Sequence, residues 1–450
     1  MLHDTIVAIS TALGEAAISV LRISGPQTLA VAQRVFQAKR PLTDLGARRA
    51  HLAKVIDPEG GILDEGLLLL FRQPSSYTGE DVVEFHGHGG LLVTQRVLEA
   101  ILHAGARAAE PGEFTQRAFL NGKMDLTQAE AVMDLIHAQS TLALKAAHEQ
   151  LGGAIGREAA ALREELLPVL AHVEAYIDFP DEDISPDTGA ALMARMDAVL
   201  ERAGRLIATS EQGRILRHGA RTVICGEPNV GKSSLLNLLL GFERAIVSPT
   251  AGTTRDTIEE IIQVHGIPLR LVDTAGLHES SDAIERAGME RTQHELERAD
   301  LILEVVDASL PAPAAHRVTL PAEAQAKRIV IFNKADLGVD TSWQSQAGVA
   351  LSCVTGSGVP ELRDAIRAVV MASGTMQADH PIAINARHKS CFERIVTHVT
   401  AARTALRRAE APEYVALDLR EALQALGEVV GQVDVEQVLD VIFSSFCIGK

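Results

Sequence analysis

RTVICGEPNVGKSSLL, residues 221–236, decides the fold of the middle of this 450-residue chain. It reads as an apolar strand, a glycine-containing loop and the start of a helix, and Gly226–Ser233 matches the pattern G-x-x-x-x-G-K-[ST]. In that setting the backbone N–H groups of the loop hold phosphates at a helix N-terminus. The pattern predicts that Lys232 reaches the β- and γ-phosphates of a nucleotide and that Ser233 binds Mg²⁺. The contacts predicted in this phosphate loop are Asn229, Val230, Gly231, Lys232, Ser233 and Ser234.

Two more loops follow in the order expected of a nucleotide-binding domain. SPTAGTTRD, residues 248–256, carries Thr254, which we expect to complete the Mg²⁺ shell. LRLVDTAG, residues 269–276, places Asp273 at a strand end, where it can support that shell, and Gly276 where its N–H can meet the γ-phosphate. The contacts predicted in these loops are Ser248, Pro249, Thr250, Ala251, Gly252, Thr253, Thr254, Asp273, Thr274, Ala275 and Gly276.

The base is read by a fourth motif. IVIFNKAD, residues 329–336, is an apolar strand ending in Asn333, Lys334, Ala335 and Asp336. Asp336 can accept two hydrogen bonds from guanine, which adenine does not offer, and leaving the carboxylate unpaired against ATP would be costly. Ser352, Cys353 and Val354 stand where the last base loop is usually S-A-[KR], so its basic stem is missing. Four motifs in order predict GTP rather than ATP, and an accidental glycine loop is the disfavoured alternative.

Composition and charge limit the remaining possibilities. The net charge is −17, whereas a dedicated duplex-binding protein usually has a basic excess. The four cysteines form no CxxC pair, which suits a reducing compartment. No window reaches about 18 uninterrupted apolar residues, and the N-terminus lacks the features of a signal peptide. We expect a cytoplasmic protein with no membrane span.

Hydrophobic periodicity divides the chain into three regions. Residues 1–118 read as mixed α/β, residues 119–215 and 380–450 as two helical segments, and residues 216–379 as an inserted α/β domain. Thr127 and Glu130 have the spacing of a capping box before the first long helical run. The predicted fold class is therefore multidomain, with α/β and all-α parts and the helical domain interrupted by the insertion.

Several segments in all three regions carry one family resemblance, among them LRISGP, TGEDVVEFHGHGG, PGEFTQRAFLNGKMDLTQAEAV, PNVGKSSLLN, AGTTRD, DTAGL and FSSFCIGK. Together these segments resemble the MnmE (TrmE) family of tRNA modification GTPases. The resemblance implies an N-terminal tetrahydrofolate-binding domain, a helical domain in two segments and a Ras-like P-loop GTPase domain. It also implies a homodimer formed through the N-terminal domains, and an FAD-dependent partner subunit, MnmG (GidA). The implied activity is GTP hydrolysis coupled to attaching an aminomethyl or carboxymethylaminomethyl group at C5 of the wobble uridine of certain tRNAs.

The family resemblance also bears on Leu277, which occupies the place where small GTPases carry a water-orienting glutamine. A leucine can neither orient water nor accept a proton. In the family a potassium ion neutralises charge that develops between the phosphates. The residues that match its ligands are Asn229, Ser248, Thr250 and Thr253. Glu285 matches the glutamate that takes over water orientation, the alternative being a solvated helix charge.

Matches to the family's folate contacts fall on Arg22, Glu84, Lys123 and Lys450, and the implied ligand is 5-formyl- or 5,10-methylene-tetrahydrofolate. The basic pair Arg22 and Lys123 suits the anionic glutamate tail of a folate, and the Glu84 carboxylate suits the N–H donors of the pterin. Without the resemblance, ordinary surface charges would be the favoured interpretation. Cys447 is either a buried small hydrophobe or a nucleophile or acid near the one-carbon group. His86 and His88 share one strand face, where packing or folate contact is favoured over a metal because no third ligand is evident.

Other functions remain as alternatives at this point. A ribosome-biogenesis type of GTP switch shares the nucleotide motifs, but usually has an RNA-binding appendage that the acidic flanks here do not resemble. A folate-dependent methyl-transfer module with a regulatory GTPase domain is a second alternative. A purely structural helical scaffold is hard to reconcile with four nucleotide motifs in order.

Overall fold

The computed structural model describes residues 4–179, 188–241, 259–272, 294–312, 325, 327–372, 382–432, 439, 442–444 and 446–449. The chain forms two compact units, one of residues 1–133 with 430–450 and one of residues 134–429.

The first unit is built on a seven-stranded sheet, counted over the described residues, with the strand order β3-β4-β5-β6-β2-β1-β7. Its strands are β1 (Ile6–Ile9), β2 (Ala16–Ser24), β3 (Phe36–Ala38), β4 (Ala50–Ile56), β5 (Ile62–Phe71), β6 (Val82–Gly89) and β7 (Arg107–Ala108). Its helices are α1 (Thr28–Val35), α2 (Leu91–His103), α3 (Glu113–Leu120) and the first two turns of α4 (Leu126–His137). All strand pairs are antiparallel except β1 with β7.

Helices α1 and α2 cover one face of this sheet. The buried residues of α2 recur at helical spacing (Thr94, Val97, Ala100 and Ile101), and the apolar ones pack with alternate residues of the strands such as Leu21, Leu68 and Phe85. Buried residues that recur every second position in the strands and about every 3.6 positions in the helices thus form one core. The opposite strand residues, including Arg22 and Glu84, lie on the other face.

The start of α4 differs from the sequence-based expectation. Thr127 and Glu130 do not form the cap, because Thr127 lies inside the helix and is fully buried. Asp125 and Gln128 form the cap instead. Asp125 Oδ1 accepts from the Gln128 N–H at 2.9 Å, and Gln128 Oε1 accepts from the Asp125 N–H at 3.0 Å. This is a reciprocal capping box shifted two residues toward the N-terminus.

The second unit combines long helices with a second sheet. After the end of α4, its helices are α5 (Thr141–Leu151), α6 (Ala154–Asp178), α7 (Thr188–Ala208), α8 (Ser210–His218), α9 (Lys232–Leu240), α10 (Val359–Ala372), α11 (Ala386–Arg407) and α12 (Pro412–Val430). Helices α6, α7 and α11 pack together, and ion pairs Arg202–Glu158 and Arg403–Asp197 join them across their polar edges. Helical segments on both sides of the insertion therefore belong to one helical layer.

The second sheet has the order β13-β12-β11-β8-β10-β9 over the described residues. Its strands are β8 (Ala220–Cys225), β9 (Glu259–Val264), β10 (Ile267–Val272), β11 (Leu301–Asp307), β12 (Arg328–Asn333) and β13 (Val349–Ala350). All neighbours run parallel except β9 with β10. The near-continuous apolar strands are buried, as expected for a parallel sheet covered on both faces. Loops at the carboxyl ends of β8, β11 and β12 meet at one edge, where ligands of such sheets bind.

Candidate functional site

The phosphate loop follows β8 in a backbone conformation that favours glycine. Gly226 and Gly231 have φ of 145° and 102°, and Asn229 has φ of 63°. A Cβ on Gly226 would lie 2.2 Å from the carbonyl oxygen of Val305, and a Cβ on Gly231 would lie 2.2 Å from Asn333 Nδ2. Close approach to strand β11 and to the end of β12 therefore requires glycine at both ends of the loop.

Asn333 is the residue that joins the loops. It is buried at the end of β12, where its Nδ2 donates to the Val230 carbonyl at 2.8 Å. Its Oδ1 accepts from the Cys353 N–H at 3.3 Å. One amide side chain thus links the phosphate loop, the guanine loop (Asn333–Asp336) and the base loop (Ser352–Val354).

The cationic end of the phosphate loop is formed by Lys232, the first residue of α9. Its Nζ donates to the carbonyls of Gly226 at 3.0 Å and Glu227 at 2.8 Å. Burial lowers the pKa of this ammonium group. Ser233 and Ser234 follow it with exposed side chains at the helix N-terminus. A positive side chain, hydroxyls and backbone N–H groups at one helix end suit a phosphate and its counter-cation.

The base-reading loops lie beside each other. Lys334 has φ of 62° and leads into the turn Ala335–Leu337, which carries the exposed side chain of Asp336. The Ala335 N–H donates to the Leu351 carbonyl at 3.1 Å, which fixes this turn against the base loop. Ser352 is buried, while Val354 is 87% exposed. Burial and the neighbouring Asp336 carboxylate raise the pKa of Cys353.

Asp307 also belongs to this group, although none of the four nucleotide motifs contains it. It ends β11 and accepts from Lys334 Nζ at 2.5 Å. The pattern that could have indicated it is an acid after a buried strand that pairs with the strand of the guanine loop.

The first unit brings two of the predicted folate contacts together. Arg22 on β2 and Glu84 on β6 are directly opposite in register, and Arg22 Nε donates to Glu84 Oε1 at 2.8 Å. The Arg22 guanidinium carbon lies 5.3 Å from the ring centroid of Tyr77 and 5.7 Å from that of Phe114. Lys123 instead donates to the Pro74 carbonyl at 2.9 Å and is not hydrogen-bonded to the pair within the described part of the chain.

Both histidines on this sheet face are next to carboxylates. His86 Nε2 is 3.4 Å from Glu84 Oε2, and His88 Nδ1 is 2.6 Å from Asp64 Oδ1. In the part of the chain that the structure describes, no group of three or more His, Cys, Asp or Glu side chains could hold a metal ion. Glu84 thus contacts both Arg22 and His86.

The end of the chain lies against the first unit. Ile448 forms an antiparallel bridge with Pro111, the Gly112 N–H donates to the Cys447 carbonyl at 3.4 Å, and Ser10 donates to the Gly449 carbonyl at 3.2 Å. The Cys447 thiol is free and its residue is exposed. It is therefore not the buried small hydrophobe that was one of the two expectations.

A cluster of charged side chains around the buried Arg117 connects several elements of this unit. No sequence motif indicates this cluster. Arg117 on α3 is 2% exposed and donates to Asp4 Oδ1 at 2.6 Å, Glu113 Oε1 at 2.8 Å and Glu80 Oε1 at 3.2 Å. Arg107 Nη2 donates to the same Glu113 oxygen at 2.7 Å. The cluster joins the segment before β1, the loop before β6, the start of β7 and helix α3.

Several predicted contacts lie outside the described residues. They are Ser248, Pro249, Thr250, Ala251, Gly252, Thr253, Thr254, Asp273, Thr274, Ala275, Gly276, Glu285 and Lys450, together with Leu277.

Comparison with known proteins decides the family. A family model described as the MnmE helical domain matches residues 126–447, and one described as the N-terminus of the GTP-binding protein TrmE matches residues 5–123. This chain belongs to the MnmE (TrmE) family. The family models confirm the N-terminal and helical parts of the predicted fold class.

Full-length relatives agree with this assignment. The chain is 53% identical to the tRNA modification GTPase MnmE of Akkermansia muciniphila over 450 residues, or 99% of each chain. It is 43% identical to that of Geobacter sulfurreducens, over 100% of this chain and 99% of the relative. Identity to the Aquifex aeolicus protein is 44% over the whole of both. Among solved structures, the G domain of the T. maritima FeoB iron transporter aligns with 33% of this chain and 98% of its own at 24% identity, but with a TM-score of 0.23 this likeness supports no inference.

Within the described ranges, no helix is long and apolar enough to cross a membrane.

Proposed function

We propose that this chain is a potassium-activated GTP hydrolase of tRNA modification. Together with an FAD-dependent MnmG (GidA) subunit, it installs the aminomethyl or carboxymethylaminomethyl group at C5 of the wobble uridine of certain tRNAs. A tetrahydrofolate derivative, 5-formyl or 5,10-methylene, supplies the one-carbon unit. The protein acts in the cytoplasm as a homodimer.

The observation that carries the proposal is the junction at Asn333. A buried amide that bonds the phosphate loop on one side and the base loop on the other fixes the distance between phosphate and guanine recognition. Asp336 beside it offers the carboxylate that guanine needs. Membership of a family of tRNA modification GTPases supports the same activity.

The described residues fit the proposed cations. Ser233 has an exposed hydroxyl beside Lys232, and Asn229 has an exposed amide on the phosphate loop. In this proposal Ser233 and Thr254 hold Mg²⁺, while Asn229, Ser248, Thr250 and Thr253 hold K⁺. The two cations neutralise charge on the phosphates when bound. Asn229 presents its oxygen to the ion, and Glu285 orients the attacking water.

The first unit would supply the folate site. Arg22 and Glu84 place a cation and a carboxylate within 2.8 Å of each other, beside two aromatic rings. A folate offers both partners, an anionic glutamate tail and a pterin with N–H donors. Lys123, Lys450 and Cys447 complete the proposed site.

The proposal assigns each region a task. Residues 1–118 dimerise and bind the folate together with Lys123, Cys447 and Lys450 of the helical domain. Residues 119–215 with 380–450 form the helical domain, and residues 216–379 hydrolyse GTP.

GTP turnover in KCl and in NaCl at equal ionic strength tests the potassium requirement. We expect much faster turnover in KCl, and a loss of about 100-fold in Glu285→Ala with GTP binding retained, as for removal of a general base. Glu297→Ala removes an exposed glutamate of residues 294–298 and is the matched control. Equal rates in both salts would refute potassium activation, and full activity of Glu285→Ala would refute the role of that glutamate.

Calorimetric titration with 5-formyl-tetrahydrofolate tests the first unit. Arg22→Ala and Glu84→Gln should each weaken binding, since each removes one proposed ligand contact. Arg96→Ala, an exposed arginine paired with Glu99 on α2, should bind like the wild type. Unchanged affinity in both site variants would contradict the folate assignment.

A further inference from the structure

Asp307 occupies a special place at the edge of the second sheet. It is the last residue of β11 and pairs in register with Asn333, the last residue of β12. Only 13% of its side chain is exposed, so its carboxylate is held between neighbours rather than in solvent.

Both carboxylate oxygens of Asp307 are used. Oδ2 accepts from Lys334 Nζ at 2.5 Å, and Oδ1 accepts from the hydroxyl of Ser309 at 2.6 Å and from its N–H at 3.1 Å. Burial raises the pKa of Asp307, but the hydrogen bonds from Lys334 and Ser309 outweigh it and hold the pKa below its ordinary value. The carboxylate is therefore ionised at neutral pH and forms a charge-assisted pair with the lysine.

The backbone next to Asp307 is joined to the first residue of the guanine loop and to Asp340, four residues beyond its end. The Ala308 N–H donates to the Asn333 carbonyl at 2.9 Å, and the Asp340 N–H donates to the Ala308 carbonyl at 2.8 Å. Lys334 lies between these anchors in a left-handed conformation, with φ of 62°. This conformation is unfavourable for a lysine, so it depends on the contacts around it.

The lysine side chain borders open space. A cavity of about 220 Å³ lies against the phosphate loop, and its lining includes Asp307, Leu310, Lys334 and Trp343. Without the carboxylate, the ammonium group would have room to leave its present position, and the turn that begins at Lys334 would lose one of the contacts that hold it.

We infer that Asp307 is a positioning residue for guanine-nucleotide retention, acting through Lys334. The carboxylate holds Lys334 and thereby fixes the turn that presents Asp336 to the base. The inference rests on the proposed GTPase function and deepens it, because it adds to the four motifs an acid that none of them contains.

Release of the fluorescent nucleotide mant-GDP from the full-length protein tests this assignment. Asp307→Asn keeps the shape and the contacts with Ser309 but loses the charge, and should accelerate release at least about tenfold. Lys334→Met should accelerate release similarly, and the double variant should release no faster than Lys334→Met alone. Asp364→Asn is the matched control, since Asp364 is 75% exposed and pairs with His265 instead.

Each outcome separates positioning from a general structural effect. Additive acceleration in the double variant would overturn the inference, because Asp307 would then act independently of Lys334. Release of mant-GDP from Asp307→Asn at the wild-type rate would overturn it as well, while the GTPase assignment would stand. A wild-type protein that binds no mant-GDP would overturn both. If Asp307→Asn does not fold, the inference is refuted by wild-type release from Lys334→Met.

Discussion

Replacing Asn333 with alanine removes the amide that joins the three nucleotide loops. Two hydrogen bonds are lost, one to the Val230 carbonyl and one from the Cys353 N–H. Each neutral hydrogen bond contributes about 0.5–1.5 kcal/mol to stability, so the expected loss is about 2 kcal/mol. If that energy is used to hold the loops in their binding arrangement, GDP affinity should fall by about 30-fold.

Trp343 makes the measurement specific for this region. It is the one tryptophan of the sequence, and it is buried with its Nε1 donating to the Leu310 carbonyl at 2.8 Å. Its ring centroid lies 5.4 Å from that of Phe332, the residue before Asn333. Urea unfolding followed by tryptophan fluorescence therefore reports on the sheet that carries the site.

The control for this prediction is Asn237→Ala on the exposed side of α9. A surface substitution of this kind usually changes the free energy of unfolding by no more than about 0.5 kcal/mol. If Asn333→Ala unfolds at the same urea concentration as Asn237→Ala and binds GDP with wild-type affinity, the amide is not the junction described above.

Further predictions concern both units. Gly231→Ala should abolish detectable mant-GDP binding, because its Cβ would lie 2.2 Å from an amide nitrogen at a φ of 102°, whereas Gly241→Ala, at a negative φ, should bind normally. Arg117→Met should lower the calorimetric unfolding temperature of the first unit, at a cost of about 3–5 kcal/mol for uncompensated buried carboxylates. Burial raises the pKa of Asp4 and of Glu113, but the hydrogen bonds from Arg107 and Arg117 together have the larger effect. The pKa of each carboxyl therefore lies below its ordinary value, 3.8 for Asp4 and 4.5 for Glu113. Their stabilisation is thus complete above pH 4.5 and is lost as the pH falls through the folded values; equal unfolding temperatures at neutral and strongly acidic pH would contradict it.

Local patterns predicted those features that depend on neighbours in sequence. The strand, loop and helix around Gly226–Ser233 form as expected, since the glycines, the apolar run and the helix start all lie within 16 residues. The spacing of Thr127 and Glu130 predicts the cap of α4 two residues too late, because Asp125 and Gln128 have the same spacing and form the cap. Only burial of the Thr127 side chain distinguishes the two.

Local sequence patterns do not predict contacts between residues that are far apart in the sequence. Arg117 pairs with Asp4, 113 positions away, and with Glu80, 37 positions away. Periodicity assigns an arginine on a short helix to solvent, so nothing in the pattern indicates that this one is buried. Asp307 and Lys334 are 27 positions apart, and only the parallel pairing of β11 with β12 brings them together.

The two candidate sites differ in what a ligand must displace. Lys232 is held by two neutral carbonyls, and a phosphate would replace them with an anionic partner, a gain in electrostatic energy. Arg22 and Glu84 already neutralise each other, so a ligand that contacts both exchanges one ion pair for others with little net gain. Apolar contact then adds to the affinity at the first unit, and Tyr77 and Phe114 lie next to Arg22 for this. Replacing Glu84 therefore does more than remove a pterin contact, because it also leaves Arg22 without its carboxylate partner. Arg22→Ala tests the contact with the anionic tail of the ligand, and Glu84→Gln tests the contact with the pterin.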